Sequence, residues 1–430
     1  MQAFAWLQQK LENRLYKVSA EDDSQALTAR AVMILVASTF LTKTADTLSN
    51  PKITLTALLQ SQGASVLAIS LLVPLRESGA LLPQVWLANF TNRYRRLGPV
   101  YSLGTLIQGV AAIGMMLSAW LLNGDRAGWA LIVCLGVLSV ARALCSISYK
   151  AVLGKMVPGG FRGKTTGWAS SAAGFATVVI SLALLIMPER ESANLLIVFL
   201  GLAAVSWWLA TALFSRLDEH EHNNDDETSS TMAKRWALLR DQPSFRKFVI
   251  VRSLLVSTAL VAPWYVMLSV SGNEALGSVG ALLLASGLAS FVSSPFWGYY
   301  SDRSSRWVLQ ASAICVSVLG ALTVAVHQTT PEAFDSLWLV PVLYFLLEIS
   351  HQGVRVGRKT YLVDIASDGN RVDYVAISNT LIGIIILCMG IISGIVATWL
   401  SPIGMIILLS LISAAGAALA YSLPEALENT

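Results

Sequence analysis

The chain has 430 residues, of which 55% are hydrophobic and only 13% charged, with a mean hydropathy of +0.61. Soluble domains carry about 25% charged residues, so a soluble fold is excluded and the chain reads as an integral membrane protein. The net charge of +4 is scattered in small basic clusters between apolar runs, which gives no nucleic-acid footprint and implies no nucleic-acid partner.

In chain order, residues 1–26 are polar, and "FAWLQQKLENRLYKV" fits an amphipathic helix lying on the cytoplasmic membrane face. Twelve apolar windows follow, each long enough to cross the hydrocarbon as a helix. They are 28–49, 60–87, 99–122, 128–149, 166–187, 194–214, 248–270, 278–300, 307–327, 337–357, 375–398 and 402–422. The predicted organisation is a six-helix bundle at 27–216, a cytoplasmic linker at 217–244, a second bundle at 245–423 and a cytoplasmic tail at 424–430. The linker is acidic and rich in Ser and Thr, as a flexible connection would be. His220 and His222 read there as part of a solvated charge run, so no metal is expected. The four cysteines lie in apolar runs without paired spacing and read as packing residues.

Basic residues orient the chain. With the N-terminus in the cytoplasm, the inner loops and the span ends adjoining them hold 23 of the 30 Lys and Arg. Both termini are then cytoplasmic, in a multi-pass protein of the cytoplasmic (inner) membrane. Trp120, Trp129, Trp338 and Trp399 fall at predicted water interfaces, as an aromatic belt.

The halves repeat. "ANFTNRYRR" (88–96) aligns with "GYYSDRSSR" (298–306) at an offset of 210, while Lys150, Arg162 and Gly174 align with Lys359, Arg371 and Gly383 at 209. Two separate segments with nearly one offset argue for a duplicated six-helix unit. "GYYSDRSSRW", with Gly298, Asp302, Arg303 and Arg306, resembles the loop between the second and third helices of each half in the major facilitator superfamily. Twelve spans, the duplication and the mid-chain loop extend the resemblance over almost the whole chain. It implies an all-α polytopic fold of two pseudo-symmetric six-helix bundles, with spans 1, 4, 7 and 10 lining a central cavity. It also implies that the loop braces one state by contacting the start of a neighbouring helix. The first-half copy departs from the pattern, with Ala88 for Gly and Asn92 for Asp beside Arg93 and Arg96, so its brace should be weaker. Arg142 stands where proton-coupled members place an arginine. No copy of the antiporter Gly-Pro motif is present in the fifth span, where "SSAAGFATVV" offers only Gly174. "PGGFRGKT" lacks the first Gly of a phosphate loop and reads as a basic loop.

Charges inside the spans set the functional candidates. At about 2.5–3.5 kcal/mol for each charge at mid-bilayer, Arg76 and Glu77 in "VPLRESGALLP" must face protein or water. Neighbours on a helix diverge by about 100°, so the two should have different partners, in a gate or a structural network. Thr39, Lys43, Asp46 and Asn50 share one face of span 1. Ser139, Arg142, Ser146 and Tyr149 do so in span 4, and Tyr344, Glu348, His351 and Arg355 in span 10. Span 7 offers Arg252, then Pro263, Trp264 and Tyr265, suited to packing or to an aromatic solute contact. Glu348 is the first candidate for proton coupling, with Asp46, Glu77 and His351 as alternates. Lys43, Arg76, Arg142, Tyr149, Arg252, Trp264 and Tyr344 are the cavity candidates. Asp46 and Lys43 are expected at an outer gate, and Arg355 is expected to snorkel to the interface.

These features predict a monomeric secondary transporter, without cofactor, that moves a small anionic or zwitterionic solute by alternating access, coupled to protons. A proton-antiport exporter of drugs or metabolites is the alternative. A non-transporting sensor or assembly protein of the same fold is the alternative of another class. No nucleophile, base and metal constellation for an enzyme is present.

Overall fold

The structure, a computed structural model, describes residues 22–84, 87, 94, 96–157, 159–186, 192–217, 219, 239–269, 275–365 and 371–425. The predicted surface helix up to residue 21, most of the linker including His220 and His222, and Asn92 and Arg93 lie outside these. The described residues form helices and no strands. The first half contains α1 (Asp22–Leu48), α2 (Thr54–Ser61), α3 (Val66–Leu81), α4 (Gly98–Leu121), α5 (Gly124–Met156), α6 (Gly159–Ile186) and α7 (Ser192–Phe214). The second contains α8 (Pro243–Leu254), α9 (Ser257–Leu260), α10 (Ala262–Ser269), α11 (Ala275–Ser301) and α12 (Ser305–Thr329). It continues with a 3-10 turn (Pro331–Asp335), α13 (Leu339–Ile365), α14 (Arg371–Val396) and α15 (Pro402–Ala420).

Ten helical segments among the described residues are long and apolar enough to cross a membrane, with α8–α10 counted as one crossing. Two of the predicted spans fall outside that set. Helix α3 has only 16 residues and carries Arg76 and Glu77, whereas α13 carries Glu348, Arg355, Arg358, Lys359 and Asp364. The predicted span 2 began at residue 60, but Gly63, at φ +71°, turns the chain between α2 and α3. The left-handed backbone there suits a residue without Cβ. Span 7 breaks around 255–256 and 261. Pro263 cannot donate a backbone hydrogen bond, and its ring opposes the carbonyl four residues earlier.

The polarity of each helix follows its surroundings. On α4, Leu103, Leu106, Val110 and Leu117 stand outward at helical spacing, while Thr105, Gln108 and Ser118 are buried. Thr105 and Ser118 hydroxyls donate to carbonyls one turn back, the local way to satisfy a polar group away from water. Trp120, Trp129, Trp338 and Trp399 are all exposed at the same end of the bundle, opposite the linker. This end is called the far end below; the other is the linker end. Of the cysteines, Cys145 is buried and Cys134 is half-buried against the core, whereas Cys315 and Cys388 are exposed, so only the first two pack as predicted.

The two lobes repeat one packing pattern. In the first, α1 packs on α6 and α7, α3 on α5, and α4 on α5 and α7. In the second, α8 packs on α14 and α15, α11 on α13, and α12 on α13 and α15. Each lobe is also clasped at its linker end by a carboxylate that follows its last helix. Glu219 accepts from the Gly98 amide at the N-terminus of α4 (2.6 Å) and from Lys155 (3.2 Å). Glu425 accepts from Ser304 (3.0 Å), the residue capping α12, and pairs with Arg306 (2.7 Å). A negative charge is favoured at a helix N-terminus by its dipole.

The lobes meet along two seams, α3 on α14 and α6 on α11, and at the far end, where α2 lies on α10. The α3–α14 seam is close along its length. A Cβ at Gly394 would strike Ser70, one at Gly390 would strike Pro74, and one at Gly383 would strike Leu82. The α6–α11 seam is close only toward the far end, at Gly280 against Leu184 and Gly287 against Thr177. Gly167 and Gly174 of α6 and Gly298 of α11, toward the linker end, have open space instead.

Candidate functional site: a charged cavity between the lobes

A cavity of about 300 Å³ lies between the lobes, lined from α1, α3, α5, α8, α11 and α13. The polar stripes predicted on spans 1, 4 and 10 converge here, since Asp46, Asn50, Arg142, Glu348, His351 and Arg355 all line it. Its carboxylates are Asp46, Glu77 and Glu348; its cations are Lys52, Arg142, Arg252, Arg355 and Arg358.

Asp46 is the centre of the first-lobe network. Its Oδ1 accepts from Arg76 Nη2 at 2.5 Å and from Arg142 Nη1. Arg76 is buried, so the carboxylate offsets a charge that neither lipid nor water solvates. Glu77, its neighbour, turns into the cavity that Arg355 and Arg358 also line. The pair thus points to different surroundings, as its divergence of about 100° requires.

Glu348 is 4% exposed and ties the lobes together. Its Oε1 accepts from Lys52 Nζ of the first lobe at 2.8 Å and from the Tyr344 hydroxyl at 3.2 Å. His351, one turn on, is held by Thr258, with Nδ1 and the hydroxyl 3.0 Å apart, and not by Glu348. Near Lys52, Gln60 Nε2 donates to the Met267 carbonyl (3.3 Å) across the far end.

Lys43 and Arg252, related by the 209-residue offset, play matching parts. Lys43 Nζ donates to Ser170 on α6 (2.6 Å), while Arg252 donates to Asn379 (3.0 Å), the repeat mate of Ser170, and to Ser378 (2.6 Å). Asn379 also donates to Gln84 of the first lobe (3.1 Å). Of the two residues expected at an outer gate, Lys43 thus contacts α6, while Asp46 is held by Arg76 and Arg142. Trp264 and Tyr265 are buried, the Tyr265 hydroxyl lies 2.9 Å from that of Thr323, and neither residue lines the cavity. Tyr149 packs beside Tyr101, ring centres 6.0 Å apart, away from the cavity.

Of the loop motif, Arg306 holds the Leu423 carbonyl (3.1 Å) and Glu425, while Arg303 lies over the Tyr299 ring (4.5 Å). Asp302 and Arg96 are exposed, and Gly298 stands in open space. Arg355, expected at the interface, lines the cavity instead. Lys52 and Arg358 were missed: the first sits in a predicted outer loop, the second just beyond a predicted span end. Continuing the α13 stripe from Glu348 by three, seven and ten residues would have reached Arg358. Among the described residues, no cluster of three or more His, Cys, Asp or Glu could hold a metal.

Solved transporters share this architecture. A POT family transporter in complex with 5-aminolevulinic acid superposes with a TM-score of 0.70 at 10% identity, over 90% of this chain and 95% of that one. The nucleoside transporter NupG gives 0.67 at 13%, over 92% and 98%. The xylose transporter XylE from E. coli, in its inward open conformation, gives 0.61 at 12%, over 94% and 97%. At these identities the likeness is one of fold. No curated protein matches the sequence. The family model of the Major Facilitator Superfamily, however, matches residues 35–277 and 253–429. With its duplicated lobes, its membrane-crossing helices and a charged cavity between them, the chain belongs to the Major Facilitator Superfamily.

Proposed function

We propose that this secondary transporter carries a small organic anion through the cavity between its lobes, by alternating access coupled to protons. The observation that carries the reading is the cavity's charge: Lys52, Arg142, Arg252, Arg355 and Arg358 outnumber Asp46, Glu77 and Glu348. An anion neutralises that excess, and guanidinium groups recognise carboxylate or phosphate by paired hydrogen bonds.

Glu348 supplies the coupling. Its ion pair with Lys52 joins the two lobes, so a proton on the carboxylate removes the attraction that holds the far end shut. The Lys52 ammonium is then left for the solute. Import or export follows from the direction of the proton gradient and of the solute, and both use the same step.

Counterflow with purified protein in liposomes tests this. A panel of organic anions, zwitterions and cations is offered to vesicles preloaded with each compound. Exchange of anions, with Glu348→Gln keeping exchange but losing proton-driven accumulation, supports the reading. Exchange confined to cations, or unaltered proton dependence in Glu348→Gln, rejects it.

A further inference from the structure

Beside the cavity lies a second space that its transport role alone does not require. Between α6 and α11 lies a cleft of about 820 Å³. Asn50, Ser286, Ser290, Gln352 and Arg355 line both the cleft and the cavity, so the two spaces adjoin along these side chains. The cleft leads sideways. Phe175 and Phe291 stand on its rim near the middle of their helices, 73% and 79% exposed.

The internal repeat shows that this opening is specific to one seam. Leu82 and Gly383 close the α3–α14 seam. Their repeat mates are Val292 and Gly174, and there the seam stands open: Val292 is 52% exposed and Gly174 has no atom near its missing Cβ. The same positions, duplicated, are packed on one side and parted on the other. Phe175, Phe291, Leu283, Leu288 and Val178 give the cleft an apolar part that suits hydrocarbon, whereas Arg355 stands where the cleft adjoins the charged cavity and Lys43 lines the cleft beside Ser170. Basic pockets between membrane helices bind anionic head groups.

We infer that the substrate is an anionic amphiphile with a single apolar chain, which enters sideways between α6 and α11. The head group sits among the cavity arginines and the chain lies in the cleft. This inference rests on the anion reading above and narrows it to a class.

Protein in phosphatidylcholine nanodiscs is irradiated with palmitate carrying a diazirine near its methyl end, and the adducts are mapped. The expected adducts lie around Phe175 and Phe291, are competed by unlabelled palmitate and are not competed by hexadecyltrimethylammonium. Arg355→Ala lowers labelling there at least about tenfold, as loss of a charged hydrogen bond would. Gly174→Phe abolishes it by filling the cleft, and should fold because the site has room. Adducts spread evenly over lipid-facing helices, or undiminished in Gly174→Phe, overturn the inference. Equal labelling by a phosphatidate bearing the same group would replace the single-chain substrate by a membrane lipid and overturn it too. Succinate separates the two readings: if it binds and its binding falls in Arg358→Gln while palmitate labelling is diffuse, only the amphiphile fails. If neither compound binds, the anion reading fails with it.

Discussion

Asp46→Asn tests the first-lobe network most sharply. The amide keeps the shape but withdraws the charge shared by Arg76 and Arg142. The Arg76 side chain is 9% exposed and its Nη1 has no hydrogen-bond partner even in the intact protein. Arg142 is 39% exposed, on the cavity side. Stranding a buried charge costs about 3–5 kcal/mol, and a hydrated pair contributes about 1 kcal/mol or less. The Arg76 arm therefore dominates, and the variant should lose about 3 kcal/mol, since the cavity admits some water to Asp46. In an Arg76→Gln background the same substitution should cost about 1 kcal/mol or less, a coupling of about 2 kcal/mol or more. Denaturant unfolding in detergent, followed by tryptophan fluorescence, measures all four corners of the cycle. A loss below about 0.5 kcal/mol, or equal coupling of Asp46 to both arginines, would refute the assignment.

Further expectations concern the seams, the clasp and the cavity. Gly390→Leu overlaps Pro74 and should cost about 1–3 kcal/mol, whereas Gly174→Leu meets open space and should gain up to about 1 kcal/mol from helix propensity; thermal unfolding compares the two. Glu219→Gln removes the charge from the α4 N-terminus and from Lys155, and should lower stability by about 1 kcal/mol, read by the same unfolding. Lys52→Gln unlatches the far end, so a cysteine placed at Gln60 should react faster with a water-soluble maleimide; an unchanged rate would count against the latch. Arg358→Gln should raise the anion KM about tenfold or more, the worth of a charged hydrogen bond, and should leave protein folding intact because the residue borders water.

The fold was legible because a bilayer allows few solutions. Every backbone polar group must be satisfied within its own segment, so apolar length alone betrays a helix, and the repeat at 209–210 announced two lobes. The polar stripes were legible for the same reason, since Asp46, Arg142 and Glu348 could not face lipid. What escaped was tertiary. Lys52 looks like an ordinary loop residue until the lobes fold its ammonium back onto Glu348. Trp264 and Tyr265 sit on a span that borders the cavity, but the break at Pro263 accompanies burial of both rings away from its lining. The partners of Asp46 escaped for the same reason, since Arg76 and Arg142 reach it from two other helices. The open seam left no trace in either repeat, for Gly174 and Gly383 are the same residue at the same position and only their neighbours differ.

Rocking of the lobes about the cavity is the claim on which the rest depends, and two distances test it. Spin labels are placed at Ser61 and Glu332 on the far end, and at the repeat mates Lys150 and Lys359 on the linker end. All four positions are exposed, and the native cysteines are replaced. Electron–electron resonance in nanodiscs is then recorded with and without the transported anion, at neutral and acid pH. The prediction is opposite motion: the Ser61–Glu332 distance lengthens in the population whose Lys150–Lys359 distance shortens. Two fixed distances under every condition, or two that lengthen together, would contradict it.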